Sequence, residues 1–512
     1  MGTMGTILTY STLFLVALFL VGGFVGRGGV MESVKVLRGR GVRFFLLAVS
    51  LFLVGALVWR GTFYMNDERE GWITAGRDSG DTISLGFNTK SRFRSMAQPL
   101  GRVFDRNGQL LAGYVVSEGH LRRYYPAGNA LAHIVGYWTG PIRDGSGVEK
   151  GLIYLNDSLR DDRPHDVTLS IDLRLQQQAM NILKGRNGAI VVLNPSNGEV
   201  LAAASWPSYN PNSVWDNDTW RDYATDKEGR PLISRALKDN YSPGSSIKPL
   251  VAAGALQLDA PLPESEGFAC NGTYDPGRGI PSISDHGSSH GRMTLPSAMR
   301  VSCNTYFSRL AYQSLGYERM KSFLESLGAN SRMEWNTGIF LNEYGALRIG
   351  PSRVEAADRI AESRIGIGQA SVKFNPLHAA VMYGGIAEGG IFMAPTLELG
   401  RPNDTLSWSL GAVVADEVAS LLQEPLKPGG TATSIAGGLK NLGITGYGKT
   451  GTADREPDGR SPSWFSSFGE KNGKSYVVVV ALENRRGAYA GSLNAPMAAR
   501  MFELLNTYGY FR

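Results

Sequence analysis

Cysteine is scarce in this sequence, with only Cys270 and Cys303 among 512 residues. Two cysteines are too few for a disulfide-stapled scaffold, although a single bridge between them stays an alternative in an oxidising compartment. The six histidines are scattered without the spacing of metal ligands. The sequence therefore predicts neither a metal site nor a bound cofactor.

A strong excess of one charge is also missing. The formal net charge is +6, and charged residues make up 19% of the chain. There is no basic stripe interleaved with aromatic residues, which excludes nucleic acid as a partner. The hydrophobic content of 43% is typical of globular rather than disordered chains, and the length predicts two or three folded units.

Charge is absent altogether from two long apolar runs. Residues 7–25 are numerous enough to cross a bilayer, and residues 44–59 can do so if the flanking arginines extend to the headgroups. The loop 26–43 between them is basic, which the positive-inside rule assigns to the cytoplasm. We therefore predict a membrane anchor over residues 1–60, with the rest of the chain outside the cytoplasm. If Met31 is the true start, a single span remains.

Hydrophobic patterning predicts an α+β fold. Two early strands, 188–193 and 199–204, form a hairpin, and two late strands cover 446–453 and 474–482. Helices between them imply one antiparallel sheet to which both ends of the chain contribute. Further predicted elements are a hairpin at Asn107-Gly108, a strand over 168–170, helices over 172–183, 251–256 and 295–301, and a closing helix over 497–505.

The stretch 241–256 combines a serine and a lysine, three residues apart, with an apolar, alanine-rich run. Pro243 and Gly244 predict a sharp entry turn, so Ser245 falls in the first turn of a buried helix. Free N–H groups and the positive end of the helix dipole favour a developing anion there. Lys248 lies on the same face one turn on, and a desolvated lysine can be neutral and accept the serine proton. Alone, Ser-x-x-Lys arises by chance about once in a chain of this length.

Two further motifs give this stretch weight. Ser302-Cys303-Asn304 follows the predicted helix 295–301, and Lys449-Thr450-Gly451-Thr452 lies in a late strand, where Gly451 permits close backbone approach. Ser-x-x-Lys, Ser-x-Asn and Lys-Thr-Gly in this order are the signature of penicillin-binding proteins and class A β-lactamases. Cys303 is a departure, since serine or aspartate is frequent at the middle position of the second motif.

From about Gly101 onwards the chain resembles a class B penicillin-binding protein, a monofunctional peptidoglycan transpeptidase. The resemblance implies a small β-rich pedestal over 61–167 and a penicillin-binding, serine-β-lactamase-like transpeptidase domain over 168–512. In that domain an antiparallel sheet lies between helical layers. Besides the three motifs, the segments that carry the resemblance are 102–108, 125–128, 147–149, 188–204, 366–369, 376–377 and 464–465.

The resemblance also implies a role for each motif residue. Ser245 attacks the carbonyl between the two terminal D-alanines of a stem peptide, with Lys248 as its base. Ser302, held near both motif lysines, relays a proton to the departing D-alanine. Asn304 contacts the Ser245–Lys248 pair or the substrate amide.

The third motif is implied to bind substrate. Lys449, Thr450 and Thr452 bind the terminal carboxylate, with Gly451 in the same substrate-binding strand. Lys449 also helps to keep Lys248 uncharged, and the backbone N–H groups of Ser245 and Thr452 form the oxyanion hole. An amine of a second stem peptide then resolves the acyl-enzyme, and β-lactams acylate the same serine.

Other activities share parts of this pattern. A D,D-carboxypeptidase has the same motifs and differs only in using water as acceptor. A class A β-lactamase adds a glutamate in a Glu-x-x-Leu-Asn segment, but Leu341-Asn342 has Gly338 at that position. A β-lactam sensor needs a signalling domain that does not fit in the loop 26–43, and an inert scaffold should have lost a motif residue. Residues 61–165 are too few for the glycosyltransferase domain of a bifunctional enzyme.

The implied location is the bacterial plasma membrane, with the catalytic domain on its extracytoplasmic side. The implied partners are D-Ala-D-Ala stem peptides, β-lactams as covalent inhibitors, the lipid bilayer and a multi-spanning membrane glycan polymerase. The sequence leaves open whether the role is in elongation, division or sporulation.

Overall fold

The computed structural model describes residues 100–117, 120–139, 145–159, 164–285, 287, 289–343, 345–456, 459–484 and 490–512. All of these except His120 belong to one compact unit. The predicted spans 7–25 and 44–59 lie outside the described residues. Within the described part, no helix combines the length and the apolar character that crossing a membrane requires.

A small sheet occupies the first part of the described chain. Its strands are β1 (Val103–Phe104), β2 (Leu110–Ser117), β3 (His120–Tyr124) and β4 (Val167–Thr168), in the order β3-β2-β1-β4. The Asn107-Gly108 turn joins β1 to β2 as predicted, and buried Asp105 accepts hydrogen bonds from the N–H groups of Asn107 and Gln109 at 2.8 Å each. The predicted strand 168–170 is β4, which begins one residue earlier and ends two residues sooner.

The main sheet confirms the predicted α+β fold with an antiparallel sheet. Its order is β13-β14-β15-β5-β6, and every neighbouring pair is antiparallel. The strands are β5 (Gly188–Leu193), β6 (Val200–Trp206), β13 (Thr445–Thr452), β14 (Ser461–Lys471) and β15 (Lys474–Asn484). Both ends of the chain contribute to it. Because β13 is an edge strand, one side of the Lys449–Thr452 segment is not covered by a strand of this sheet.

The α-helices of the described residues are α1 (Ala132–Val135), α2 (Gly147–Leu159), α3 (Leu173–Leu183), α4 (Asn217–Thr225), α5 (Lys248–Gln257), α6 (Leu295–Val301), α7 (Asn304–Ser308), α8 (Tyr317–Ser326), α9 (Arg359–Ser363), α10 (Pro376–Ala387), α11 (Ala412–Gln423), α12 (Thr433–Asn441) and α13 (Ala490–Thr507). Some of them cover the two faces of the main sheet, among them α5 and α10 on one face and α3 and α13 on the other. The closing helix α13 begins seven residues before the predicted 497, because it continues through Pro496. Short strands lie between the helices: β7 (Ala269–Cys270), β8 (Thr273–Tyr274), β9 (Ile283–Ser284), β10 (Gly291–Arg292), β11 (Arg353–Val354) and β12 (Val372–Lys373).

The run of valines in β15 shows that the two faces of the sheet contribute side chains to two separate hydrophobic cores. Successive side chains of a strand point to opposite faces. Val477 and Val479 therefore join the core that contains α5 and α10, whereas Val478 and Val480 join the core that contains α3 and α13. All four valines are fully buried, so the sheet lies between helical layers.

Glu483, near the end of β15, gives a stability prediction. Its carboxylate accepts hydrogen bonds from the fully buried Arg235 and from the Tyr241 hydroxyl, at 2.9 Å each. Glu483→Ala should lower the free energy of unfolding by about 3–5 kcal/mol, because it leaves a buried guanidinium without its carboxylate. Urea denaturation followed by circular dichroism measures the change. Glu503→Ala is the control, because its ion pair with Arg500 is half-exposed and contributes at most about 1 kcal/mol. Equal effects of the two substitutions would contradict the prediction.

Candidate active site

Ser245 lies in a tight turn at the start of α5. Gly244–Ile247 is a 3₁₀ turn that continues into the α-helix at Lys248. Gly244 has φ +54°, and a Cβ on it would lie 2.7 Å from backbone atoms of Thr452. Every residue from Tyr241 to Ala255 is buried except Ser245, which is half-buried. The turn therefore leaves this serine more accessible to solvent than its neighbours.

The 3₁₀ geometry also defines where Lys248 lies. Side chains three residues apart eclipse each other in a 3₁₀ turn, so Ser245 and Lys248 share one face. Lys248 is fully buried. Its Nζ donates to the Ser302 carbonyl at 2.6 Å, to the Ser302 hydroxyl at 3.1 Å and to Asn304 Oδ1 at 2.8 Å. The first and second motifs thus meet at this amine.

The second motif occupies the junction between α6 and α7. Ser302 ends α6 in the left-handed conformation, with φ +61°, and Cys303 is the N-cap of α7. This reversal sends Asn304 into the first turn of α7 while the Ser302 hydroxyl faces both motif lysines. Lys449 Nζ donates to Ser302 Oγ at 2.8 Å. The Ser302 hydroxyl therefore contacts the amines of both lysines.

The third motif lies in β13, packed directly against the Ser245 turn. A Cβ on Gly451 would lie 2.3 Å from the carbonyl oxygen of Pro243 and 2.8 Å from the N atom of Ser246, so only glycine permits this approach. Lys449 is fully buried and Thr450 nearly so, whereas Thr452 is half-buried. All eight predicted site residues thus belong to the three segments that meet here.

The two buried lysines cannot both carry a charge at little cost. Burial lowers the pKa of Lys248 to about 8. Burial and the charge of Lys248 lower the pKa of Lys449 well below its ordinary value. Because both amines donate to one hydroxyl, their titrations are coupled, and one of them is neutral near pH 7. The site therefore contains one neutral amine, which can act as a base, and one ammonium group, and the Ser302 hydroxyl connects the two.

Two residues that sequence reasoning missed support the motifs. Thr431 accepts a hydrogen bond from the Thr450 hydroxyl at 2.8 Å. Asp285 accepts the backbone N–H of Asn304 and, at 2.8 Å, the hydroxyl of Thr305. Neither residue belongs to a motif, and each lies 19 residues from the group it contacts in the motif, so no local pattern could have indicated it.

Cys303 points into a cluster of groups that can bind a metal. Cys270, Asp285, His290 and Cys303 each offer one ligand atom, and these four atoms lie within 4.8 Å of one another. Both cysteines are buried and free, so the bridge that the sequence left open is not formed. Among the described residues, these four are the ones that could hold a metal ion.

A serine at a helix start, a buried lysine on its face and a second lysine on a facing strand define a serine acyltransferase site. The comparisons agree with that class. Residues 188–503 match the penicillin-binding protein transpeptidase domain, which is more than half of the chain. The chain belongs to this family, among the class B penicillin-binding proteins.

Relatives and solved structures extend the similarity beyond the matched domain. The peptidoglycan D,D-transpeptidase PbpA of Mycobacterium tuberculosis is 28% identical over 440 residues, covering 77% of this chain and 87% of the relative. The D,D-transpeptidase domain of a peptidoglycan glycosyltransferase from Eggerthella lenta superposes with a TM-score of 0.68 at 26% identity, covering 81% of this chain and 99% of that one. The penicillin G acyl-enzyme complex of M. tuberculosis penicillin-binding protein A has a TM-score of 0.66 at 25% identity, covering 79% and 99%.

Proposed function

We propose that this protein is a peptidoglycan D,D-transpeptidase that cross-links stem peptides through an acyl-enzyme on Ser245. One observation carries the assignment of roles: a single hydroxyl, that of Ser302, accepts hydrogen bonds from the amines of both Lys248 and Lys449. Such a chain can pass a proton between the nucleophile's base and the residue that binds the substrate carboxylate. The relatives named as D,D-transpeptidases support the reaction.

Acylation begins when the substrate's terminal carboxylate meets Lys449 and Thr450. In the free protein, burial and the charge of Lys248 lower the pKa of Lys449 well below its ordinary value, so Lys449 is the neutral lysine. A bound carboxylate reverses this preference by attracting charge to Lys449. The proton then moves from Lys248 over the Ser302 hydroxyl to Lys449, and neutral Lys248 becomes the base for Ser245.

The chemical step follows from the same arrangement. Ser245 Oγ forms a bond to the penultimate D-alanine carbonyl as its proton moves to Lys248. The N–H groups of Ser245 and Thr452 stabilise the oxyanion, a contribution of about 3 kcal/mol per donor in comparable enzymes. The C–N bond then breaks as Ser302 delivers a proton to the departing amine. An amine of a second stem peptide attacks the ester and restores Ser245. A β-lactam that enters in place of the peptide acylates the same oxygen.

The segment that would carry a β-lactamase glutamate has a packing role. Leu341 is buried against α2, where a Cβ on Gly151 would approach its Cδ2 to 3.2 Å. The glutamate position is Gly338, whose N–H donates to Glu398 at 2.7 Å. This loop therefore binds the pedestal region, and an acyl-enzyme that persists is the expected outcome.

The domain layout and the cellular location are part of the proposal. We assign residues 1–60 to a membrane anchor, 61–167 to a linker and pedestal, and 168–512 to the transpeptidase domain, outside the plasma membrane. The basic loop 26–43 between two uncharged runs supports this topology. Val116 on β2, the most exposed of the apolar side chains on this sheet, is a contact suited to a membrane-embedded glycan polymerase.

Transfer to an amine is the property that separates this function from that of a D,D-carboxypeptidase. Purified full-length protein, given D-Ala-D-Ala stem peptides on glycan strands, should release D-alanine and form cross-linked dimers detectable by mass spectrometry. If shortened peptides alone appear when acceptor amines are present, the protein is a carboxypeptidase. Rapid release of hydrolysed penicillin would instead identify a β-lactamase.

A further inference from the structure

Glu456 is a buried carboxylate close to the proposed acylation site, and none of the three motifs contains it. The residue is 9% exposed and lies four residues after Thr452. Oε1 of Glu456 accepts the backbone N–H of Ser242 at 3.1 Å, and Ser242 lies three residues before Ser245. Glu456 therefore joins the segment that leaves the third motif to the segment that enters the Ser245 turn.

The backbone carbonyl of Ser242 is held as well. Its oxygen accepts the indole N–H of Trp464 at 2.9 Å, and Trp464 is fully buried in β14. In the pairing of β14 with β13, Trp464 lies opposite Gly451. Both backbone polar groups of Ser242 are thus hydrogen-bonded to residues that follow the third motif in the chain.

Glu456 also receives a cation from a third segment. Lys373, at the end of β12, donates from its Nζ to the same Oε1. The next residue, Phe374, exchanges two backbone hydrogen bonds with Tyr241, at 2.8 and 3.0 Å. A carboxylate removed from water needs charged or N–H partners, and this one takes them from two neighbouring segments at once.

The spacing of these segments affects the two donors of the oxyanion hole. Under the proposed function, the N–H groups of Ser245 and Thr452 stabilise one oxyanion. The Ser245 turn and β13 pack closely at Gly451, where a Cβ would lie 2.3 Å from a backbone oxygen of the turn. That packing prevents the turn and the strand from approaching further, whereas the hydrogen bond from Ser242 to Glu456 opposes their separation.

We propose that Glu456 is a positioning residue for acylation, and that it holds the Ser245 turn at the distance from Thr452 that binding of the oxyanion by two donors requires. The inference rests on the proposed acyl-enzyme at Ser245. Glu456 acts through the backbone of Ser242 and takes no part in proton transfer. Because a displacement of about 1 Å can lower a rate about 100-fold, loss of this hydrogen bond should have a measurable effect on acylation.

Rapid-mixing kinetics with the purified full-length protein and a chromogenic β-lactam test the proposal. Varying the β-lactam concentration separates the dissociation constant of the noncovalent complex from the rate constant of acylation. Glu456→Ala should lower the rate constant about 10–100-fold and leave the dissociation constant nearly unchanged, because the carboxylate-binding residues of β13 stay in place. Glu417→Ala, which removes an exposed carboxylate from α11, should change neither constant.

Two conservative variants separate positioning from a general loss of stability. Glu456→Gln keeps an oxygen within reach of the Ser242 N–H and should recover most of the acylation rate. Glu456→Asp keeps the charge but withdraws it by one methylene group, so it should be nearly as slow as Glu456→Ala. If only the ion pair with Lys373 mattered, the aspartate variant would be the faster of the two. This pair keeps the proposal testable if Glu456→Ala misfolds.

Three results would overturn the proposal. They are a wild-type acylation rate in a Glu456→Ala protein whose circular dichroism shows it to be folded, a glutamine variant slower than the aspartate variant, and a raised dissociation constant with an unchanged rate constant. Acylation of the wild-type protein tests the proposed function separately. That function fails if the wild type is not acylated at Ser245, whereas normal acylation of both the wild type and the variants overturns this inference alone.

Discussion

Replacement of Ser245 by alanine should abolish covalent labelling by fluorescent penicillin and lower transpeptidation roughly 10⁶-fold, the loss observed when a serine acyl-enzyme loses its nucleophile. The reason is structural as well as chemical. Ser245 is the half-buried residue in an otherwise buried stretch from Tyr241 to Ala255, so no neighbouring hydroxyl can take its place. Gel fluorescence of the labelled protein measures the effect.

Ser246 provides the matched control for this experiment. Its hydroxyl is buried and donates to the Pro243 carbonyl at 2.8 Å. Ser246→Ala therefore removes a hydrogen bond of the same turn but leaves the proposed nucleophile in place, and it should still label to completion. Full labelling of Ser245→Ala, or its absence in a folded Ser246→Ala protein, would show that the nucleophile is misassigned.

Replacement of Lys248 by methionine should slow penicillin acylation by about 10²–10⁴-fold, the usual contribution of a general base. Methionine is similar in volume, so the helix start should persist even though Ser302 and Asn304 lose their donor. The second-order acylation rate constant, measured in stopped-flow or quenched assays, reports the change. Lys440→Met, an exposed lysine on α12, should leave the rate unchanged.

The pH dependence identifies how Lys248 acts. Near pH 7 the two lysines share one proton, because burial lowers the pKa of Lys248 to about 8 and that of Lys449 well below its ordinary value. Transfer of this proton to Lys449 frees Lys248 to accept the Ser245 proton. The wild-type rate constant should therefore fall about tenfold per pH unit at low pH, once both amines of the free enzyme are protonated. The Lys248→Met protein should lack this fall. A wild-type slope retained in the variant would assign the base to another group.

The elements that the sequence predicted well are those with a strong local pattern. Strand β5 and helix α6 match their predicted bounds, Gly188–Leu193 and Leu295–Val301. The first is an apolar run between turn residues. The second is an apolar-faced segment with Pro296 in its first turn, where proline is favoured. Strand β14 was not predicted, because its serines, proline and glycine have little strand preference. Its neighbours β13 and β15 impose its conformation.

The site divides in the same way. The eight motif residues were proposed from the sequence, because three short motifs in a fixed order are specific even though each is weak alone, and the structure brings their three segments together. Thr431 and Asp285 could not be predicted, because an isolated polar residue has no recognisable sequence pattern. Only the fold brings these two residues into contact with Thr450 and Asn304. The four cluster residues were also missed. Side chains that can bind a metal are recognisable in sequence when two lie a few positions apart on one turn, and these four come from separate segments.

The core that packs α5 against the sheet does not end at the pedestal region. One hydrophobic cluster contains fully buried residues of both regions: Val103 of β1 and Val148 of α2 from the pedestal, and Leu169 and, in β5, Val191 from the transpeptidase domain. A fragment that began at residue 168 would thus expose an apolar face, and the pedestal side chains act as part of its folding unit. Packed interiors have low compressibility and transmit strain. A displacement of the pedestal, such as one caused by a partner bound to β2, should therefore be transmitted through this core to the helix that carries Ser245.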